Sequence, residues 1–231
     1  MNFEVIINNW RYILFGTYPD GPIEGVLLTF LISLLAGSIS IILGIIIGVL
    51  LTTLKSLWVN VLVVFLCFFR SIPIILLMFW SYFLLPILLG TDIPELITVI
   101  SVLSLINAAY LGHVVKTGIS AITKEQWQAG MSLGFTMFGV LWNIILPQVL
   151  IMIVPSFINQ LIALIKDTSL AYIVGVAELS FLATRVNSRE MIYSMEIFLF
   201  VAAIYFVICF SLEIIANCML SNFKKNTSRM I

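Results

Sequence analysis

Long apolar runs, rather than alternation of apolar and polar positions, organise this chain. Positions 25–54 carry no charged side chain over 30 residues. As a helix that run would measure about 45 Å, enough to cross the hydrocarbon core of a bilayer and project beyond it. It predicts a first membrane span at about 25–54, in which Gly44 and Gly48 form a small-xxx-small pair where a neighbouring helix can approach closely. The next apolar run, 57–89, is interrupted by Arg70 and Pro73. It predicts a helical lead-in followed by a span at about 71–89, bent or broken by the proline. The turn Gly90-Thr91-Asp92-Ile93-Pro94-Glu95 closes this pair, and a third span follows at about 96–115 with Lys116 just beyond. A fourth, at about 138–165, carries Pro147 and Pro155. A fifth, at about 191–219, has 16 uncharged residues between Glu196 and Glu213. The run 168–177 contains Gly175 and is too short to cross, so it reads as a re-entrant or surface-lying piece, with a sixth span over 168–184 as the alternative. The expected fold class is an all-α integral membrane protein with about five transmembrane helices, residues 1–231 forming one membrane domain.

One stretch breaks the apolar pattern, the polar loop at 120–137. Thr123-Lys124-Glu125-Gln126 reads as a capping box, and Gly134 is a natural left-handed terminator. They predict a short helix over 124–133 lying outside the bilayer. On it Trp127 and Met131 share a face, while Ala129 and Gly130 leave a smooth patch where another protein's surface could come close. The competing reading lays this helix against its own membrane domain.

Composition agrees with the pattern: 62% apolar residues, 10% charged residues and a mean hydropathy of +1.19 describe a chain solvated mostly by lipid. A formal net charge of zero argues against nucleic acid as a partner, and no glycine-rich phosphate loop is present, which places nucleotide handling elsewhere. Cys67, Cys209 and Cys218 share no close spacing and imply neither a disulfide framework nor a metal site. The first 24 residues lack the basic start and short apolar stretch of a cleaved signal, so the first span is expected to be retained. With five spans and the N-terminus outside, one side collects Lys55, Lys116, Lys124, Lys224, Lys225 and Arg229, six basic residues against three, Arg11, Arg185 and Arg189, on the other. The positive-inside rule then makes the first side, with the 120–137 loop and the C-terminus, cytoplasmic.

Ionisable groups within apolar segments cost about 2.5–3.5 kcal/mol each on insertion scales, so Arg70, Lys166 and Asp167 should face a wet cavity or protein partners. Asp167 is suited to receive an ammonium group and Lys166 or Arg70 a carboxylate. Structural roles compete: Arg70 could bind carbonyls freed by Pro73, and Asp167 could cap a short helix through the amides of Thr168, Ser169 and Leu170. Asn159 and Gln160 are weaker candidates, and Glu178 is a candidate for an outer gate. Phe65, Phe68, Phe79 and Trp80 read as packing or interfacial anchors.

Gln126-Trp127-Gln128-Ala129-Gly130-Met131-Ser132-Leu133-Gly134, followed by Ile144-Ile145-Leu146-Pro147, is similar to the EAA loop of bacterial ABC importer permeases, one of four ordered motifs that resemble that family. Phe69-Arg70-Ser71-Ile72-Pro73, then Ala109-Tyr110 with Lys116, then Lys166-Asp167-Thr168-Ser169-Leu170 resemble three motifs of the polar amino-acid branch, Phe-Arg-Gly-Thr-Pro, Ala-Tyr-x-x-Glu-x-x-Arg and Lys-Asp-Thr-Ser-Leu. The resemblance implies a permease subunit without enzymatic activity or cofactor. Its partners would be an ABC ATPase, an extracytoplasmic substrate-binding protein and a second permease, identical or related, and its cargo a polar amino acid moved across the cytoplasmic membrane. By the same resemblance Glu125, Gln128, Ala129, Gly130, Gly134, Leu146 and Pro147 would couple to the ATPase, and Arg70, Lys166, Asp167, Thr168 and Ser169 would line the substrate path. Two positions depart from the family pattern. Gln128 stands where the loop's glutamate is expected, with Gly130 for its second alanine, and His113 replaces the glutamate of the Ala-Tyr motif, removing an acidic partner from Lys116. The readings that compete at the level of function are a stand-alone secondary carrier or channel and a scaffold subunit with no pathway.

Overall fold

The computed structural model describes residues 4–227, with side chains described up to residue 218. Met1 to Phe3 at the start, and Arg229 of the basic tail, lie outside the described residues. The described chain is helical throughout, in the order α1 (Glu4–Phe15), α2 (Gly25–Thr53), α3 (Ser56–Ser71), α4 (Ile74–Leu89), α5 (Glu95–Ala121), α6 (Lys124–Ser132), α7 (Met137–Val140), α8 (Leu146–Asp167), α9 (Leu179–Glu190) and α10 (Ser194–Thr227). Four stretches are long and apolar enough to cross a membrane, Gly25–Thr53, Glu95–Ala121, Met137–Val174 and Ser194–Cys218. A fifth arises if α3 and α4 count as one broken span. The break falls at Ile72 and Pro73 because proline cannot donate a backbone hydrogen bond and restricts the residue before it. Pro73 instead begins α4, its carbonyl accepting from Leu76 and Leu77 at 3.0 and 3.2 Å.

The fourth span is longer than its apolar pattern suggested. Leu141–Ile145 forms a π-helical turn between α7 and α8, with the Leu146 amide donating five residues back to Leu141. The wider turn answers Pro147, whose ring would crowd the carbonyl four residues earlier and which has no amide to donate. At the other end Thr168–Val174 continues α8 as a tight 3-10 run that stops at Gly175, in the left-handed region at φ 89°. A 12-residue helix, α9, then begins afresh. The segment 168–184 therefore forms no separate span.

The chain packs as two compact units. One gathers Met1–Ser38, Ile72–Ser104 and Leu161–Ile231. In it α1, absent from the apolar pattern because it is short and mixed, inserts Val5 and Ile13 among Leu179, Ala183 and Ile197 of α9 and α10. Glu178 ties this unit together. Fully buried, its carboxylate accepts from the Ser180 and Phe181 amides, both at 2.9 Å, capping α9, and from the Tyr205 hydroxyl at 3.0 Å. It is a helix cap within the unit's core, which is where the structure puts the residue proposed for an outer gate. Burial pushes this carboxyl up to about 7, outweighing the hydrogen bonds from Ser180, Phe181 and Tyr205 that favour its charged form. The folded chain thus holds a proton that the unfolded chain releases above pH 4.5. Stability from this group is fully present below that value and falls as pH rises through about 7. Thermal unfolding of the detergent-solubilised chain is expected to show a midpoint that drops between pH 5 and 7.5, with the slope flattened in Glu178→Gln.

The other unit gathers Ile39–Ser71 and Leu105–Gln160. Its core joins α2, α5, the π turn and α8 through Val49, Val115, Ile119, Leu141, Ile145 and Val149. Here α2 and α5 meet at backbone distance. A Cβ on Gly44 would lie 2.6 Å from the Leu111 Cβ, and one on Gly112 2.9 Å from the Ile47 Cβ. The small residues expected to admit a neighbouring helix do so, and the neighbour is α5.

Candidate functional site

The polar loop sits at the ends of the second unit's helices. Helix α6 runs Lys124–Ser132 and ends in a Schellman-type arrangement: the Phe135 amide donates to the Gly130 carbonyl at 3.3 Å and Gly134 takes φ 87°. The start differs from a capping box, since the Thr123 side chain makes no cap hydrogen bond. Instead Glu125, fully exposed, is held below the usual carboxylate range by hydrogen bonds to its own backbone and to the Thr123 side chain.

The helix presents two distinct faces. Trp127 and Gly130 turn inward: Trp127 packs against the Val140 and Ile145 cluster, and Gly130 is buried so tightly that a Cβ would lie 2.8 Å from Val140 and 3.0 Å from Ile144. Glu125, Gln128, Ala129 and Met131 are exposed. Two expectations are therefore corrected. Gly130 does not share an outward patch with Ala129, because adjacent helical residues lie about 100° apart. Trp127 and Met131 do not lie in one environment, since the tryptophan packs on the core and the methionine is exposed. Leu146 is also core, at 3% exposure, while Gly134 and Pro147 are exposed. Of the residues expected to couple, the structure brings Glu125, Gln128 and Ala129 to one outward face and uses Gly130 and Leu146 to seat it.

The candidate path residues divide between the two units. In the second unit the Arg70 guanidinium lies 4.7 Å from the centre of the Tyr110 ring, and its buried Nε has no hydrogen-bond partner. It stacks on an aromatic face rather than on carbonyls near Pro73. The buried Nε2 of His113 is likewise unpartnered, and Arg70 and His113 line one cavity of about 460 Å³ with Tyr110, Thr117, Ser156 and Gln160. The Gln160 amide donates to Asn107 Oδ1 at 2.6 Å, a pairing that only the polar types at these two positions hinted at. Among the described residues no carboxylate lines this cavity. Two buried nitrogens without partners, the Arg70 Nε a donor that always carries its proton, border a space of ligand size, and the guanidinium can receive an anionic group.

In the first unit Lys166 is exposed, Asp167 half-buried and Thr168 fully buried. The Thr168 and Ser169 hydroxyls donate back to the Ile165 and Lys166 carbonyls, each at 2.7 Å. The Asp167 side chain caps nothing, because the 3-10 run continues α8 instead of starting a new helix.

The profile of the family described as "Binding-protein-dependent transport system inner membrane component" matches residues 40–223. The chain is 34% identical over 194 residues, 81% of its length and 88% of the relative's, to a probable glutamine ABC transporter permease protein, GlnP, of Bacillus subtilis. It is 32% identical to the glutamate/aspartate import permease protein GltK of Escherichia coli over 69% of its length and 72% of the relative's. The inner membrane amino-acid ABC transporter permease protein YhdY of Escherichia coli is 36% identical over 65% of this chain, and that match spans less than half, 42%, of YhdY. Among solved structures, an amino acid ABC transporter crystallised with histidines superposes with a TM-score of 0.81 at 22% identity, covering 95% of this chain and 97% of that one. The MetNI methionine ABC transporter in an inward facing conformation gives 0.67 at 19% identity over 84% of this chain and 94% of its own.

Proposed function

The chain belongs to the binding-protein-dependent transport system inner membrane component family, and from that premise we propose that it is the membrane-spanning permease of an ATP-driven importer of polar amino acids. As a multi-pass inner-membrane permease of this family it works with an ATPase and a substrate-binding protein. The amino-acid cargo follows from the printed names of the relatives, glutamine and glutamate/aspartate permeases among them. The observation that carries the mechanism is the seating of α6. Gly130 and Trp127 anchor it to the ends of its own helices while Glu125, Gln128 and Ala129 stay exposed on the other face. A short helix so mounted transmits force in both directions. A partner gripping the exposed face moves the π turn and α8 with it, and through them the apolar span above.

In this reading α6 and the C-terminus are cytoplasmic and the N-terminus is outside. Two permease copies, identical or related, form the pore, residues 1–231 acting as one membrane domain. In the second unit Arg70, beside the same cavity as His113, is the residue for a carboxylate; in the first unit Asp167 is the residue for an ammonium and Lys166 another for a carboxylate, with Thr168 and Ser169 next to them. ATP is bound and hydrolysed on the separate ATPase. The test is uptake of labelled glutamine, glutamate or arginine into proteoliposomes holding the chain with its cognate ATPase and binding protein. Uptake requires ATP and both partners; uptake by the purified chain alone would identify a secondary carrier.

Gln128 offers a sharper check. A neutral amide at the outward face forms ordinary hydrogen bonds, whereas a carboxylate forms charge-assisted ones about twice as strong. Gln128→Glu is expected to tighten association with the ATPase several-fold, read as a lower Kd on immobilised complex, with no change in thermal midpoint because the position is exposed.

A further inference from the structure

A second cavity, of about 500 Å³, opens beside α6 and belongs to no part of the proposed path. Its lining includes Thr53, the last residue of α2, Ser120 at the end of α5, and Met137, the first residue of the 137–174 span. Three segments long enough to cross a bilayer therefore end around it, which sets the cavity at the depth of lipid headgroups. Lys116 and Lys124 supply two cations, and among the described residues no carboxylate lines the space. The hydroxyls of Thr52 and Thr53 donate back to the Val49 carbonyl at 2.8 and 2.9 Å, so the side-chain donors left for an incoming group are those of the two lysines, Ser120 and the Trp127 indole. Next to them Met137 and Phe138, 65% and 62% exposed, present apolar surface. Cations at headgroup depth above an exposed apolar wall match an anionic phospholipid, phosphate on the lysines and acyl chain along the wall.

We propose that this cavity binds the phosphate headgroup of an anionic phospholipid. Because Trp127 lines the same space from α6, an occupied site would brace that helix against the span ends from behind, leaving its outward face free. The proposal requires only that the spans cross a membrane and stands whether or not amino acids are the cargo.

The test is native mass spectrometry of the full detergent-solubilised chain with dioleoylphosphatidylglycerol, dioleoylphosphatidylcholine or inorganic phosphate added, alongside melting curves with each. Phosphatidylglycerol is expected to be retained at least tenfold more tightly than phosphatidylcholine and to raise the melting midpoint. Both effects should be lost in the Lys116→Gln/Lys124→Gln double variant and kept in Arg11→Gln, whose cation lies in the other unit. A double variant whose unliganded midpoint falls is replaced in the same assay by the single variants, each expected to weaken retention. Equal retention of the two lipids, or retention of phosphatidylglycerol unaffected by all lysine variants, overturns the proposal. Lysine-dependent binding of inorganic phosphate with no phosphatidylglycerol preference overturns it in favour of a soluble-anion site.

Discussion

Gly130→Leu is expected to abolish ATP-driven uptake while the chain still inserts into the membrane. The reason is local: even a methyl group at this position would sit 2.8 Å from Val140 and 3.0 Å from Ile144, and leucine adds three further carbons. Overpacking a well-filled contact costs about 1–3 kcal/mol. A nine-residue helix held to its neighbours mainly through Gly130 and Trp127 has little else with which to offset that loss. Helix α6 should leave its seat, and movement of the gripped face would no longer reach the π turn. The spans are formed by apolar length and remain. Gly134→Ala makes the informative comparison. Nothing lies within 4 Å of a Cβ there, so its cost is only the left-handed backbone at φ 87°, about 1–2 kcal/mol. Uptake and ATPase stimulation in proteoliposomes should rank wild type, then Gly134→Ala, then Gly130→Leu near zero. Equal activity of Gly130→Leu and wild type would refute the seating of α6.

Gly48→Ile should prevent the second unit from folding. On this face of α2 a Cβ would fall 3.0 Å from the Gly112 carbonyl, in backbone contact, where no side-chain rotation gives relief. The branched side chain would also meet Val115, part of the unit's core. Separating α2 from α5 strips packing from Val49 and Val115 together, so the cost exceeds the usual range of about 1–3 kcal/mol for a single overpacked site. Membrane helices gain no hydrophobic free energy from associating in lipid and depend on such close packing. The expected result is aggregated material on size-exclusion chromatography and no cooperative melt. A matched change at Leu43, exposed on the same helix, to isoleucine should behave as wild type. A monodisperse, cooperatively melting Gly48→Ile chain would show that the α2–α5 contact is not required.

What was legible in the sequence were properties set by the residues next to one another. Apolar length marked where helices can cross a bilayer, because the cost of burying charge in lipid is paid within each segment. Pro73 marked the break before α4 and Gly134 the end of α6, because both act on their own backbone dihedrals. The resemblance to importer permeases was carried by four local motifs and agrees with the family matched over residues 40–223. The helix α1 escaped notice because its apolar content suffices only once α9 and α10 cover it.

Everything that depended on a distant neighbour was decided by the tertiary structure. Ala129 and Gly130 read from the sequence as one smooth patch, since either small residue tolerates a close neighbour; the positions of Val140 and Ile144 turn Gly130 inward instead. Gln160 and Asn107 pair across 53 residues, and the Leu179 amide reaches the Thr29 hydroxyl across 150. Glu178 read from the sequence as a candidate for an outer gate, and its enclosure by Tyr205 and the start of α9 appears only in the fold. Sequence fixes a segment's solvent and its own backbone, because those energies are local. It leaves open which face meets which partner, because that choice belongs to the packing of elements far apart along the chain.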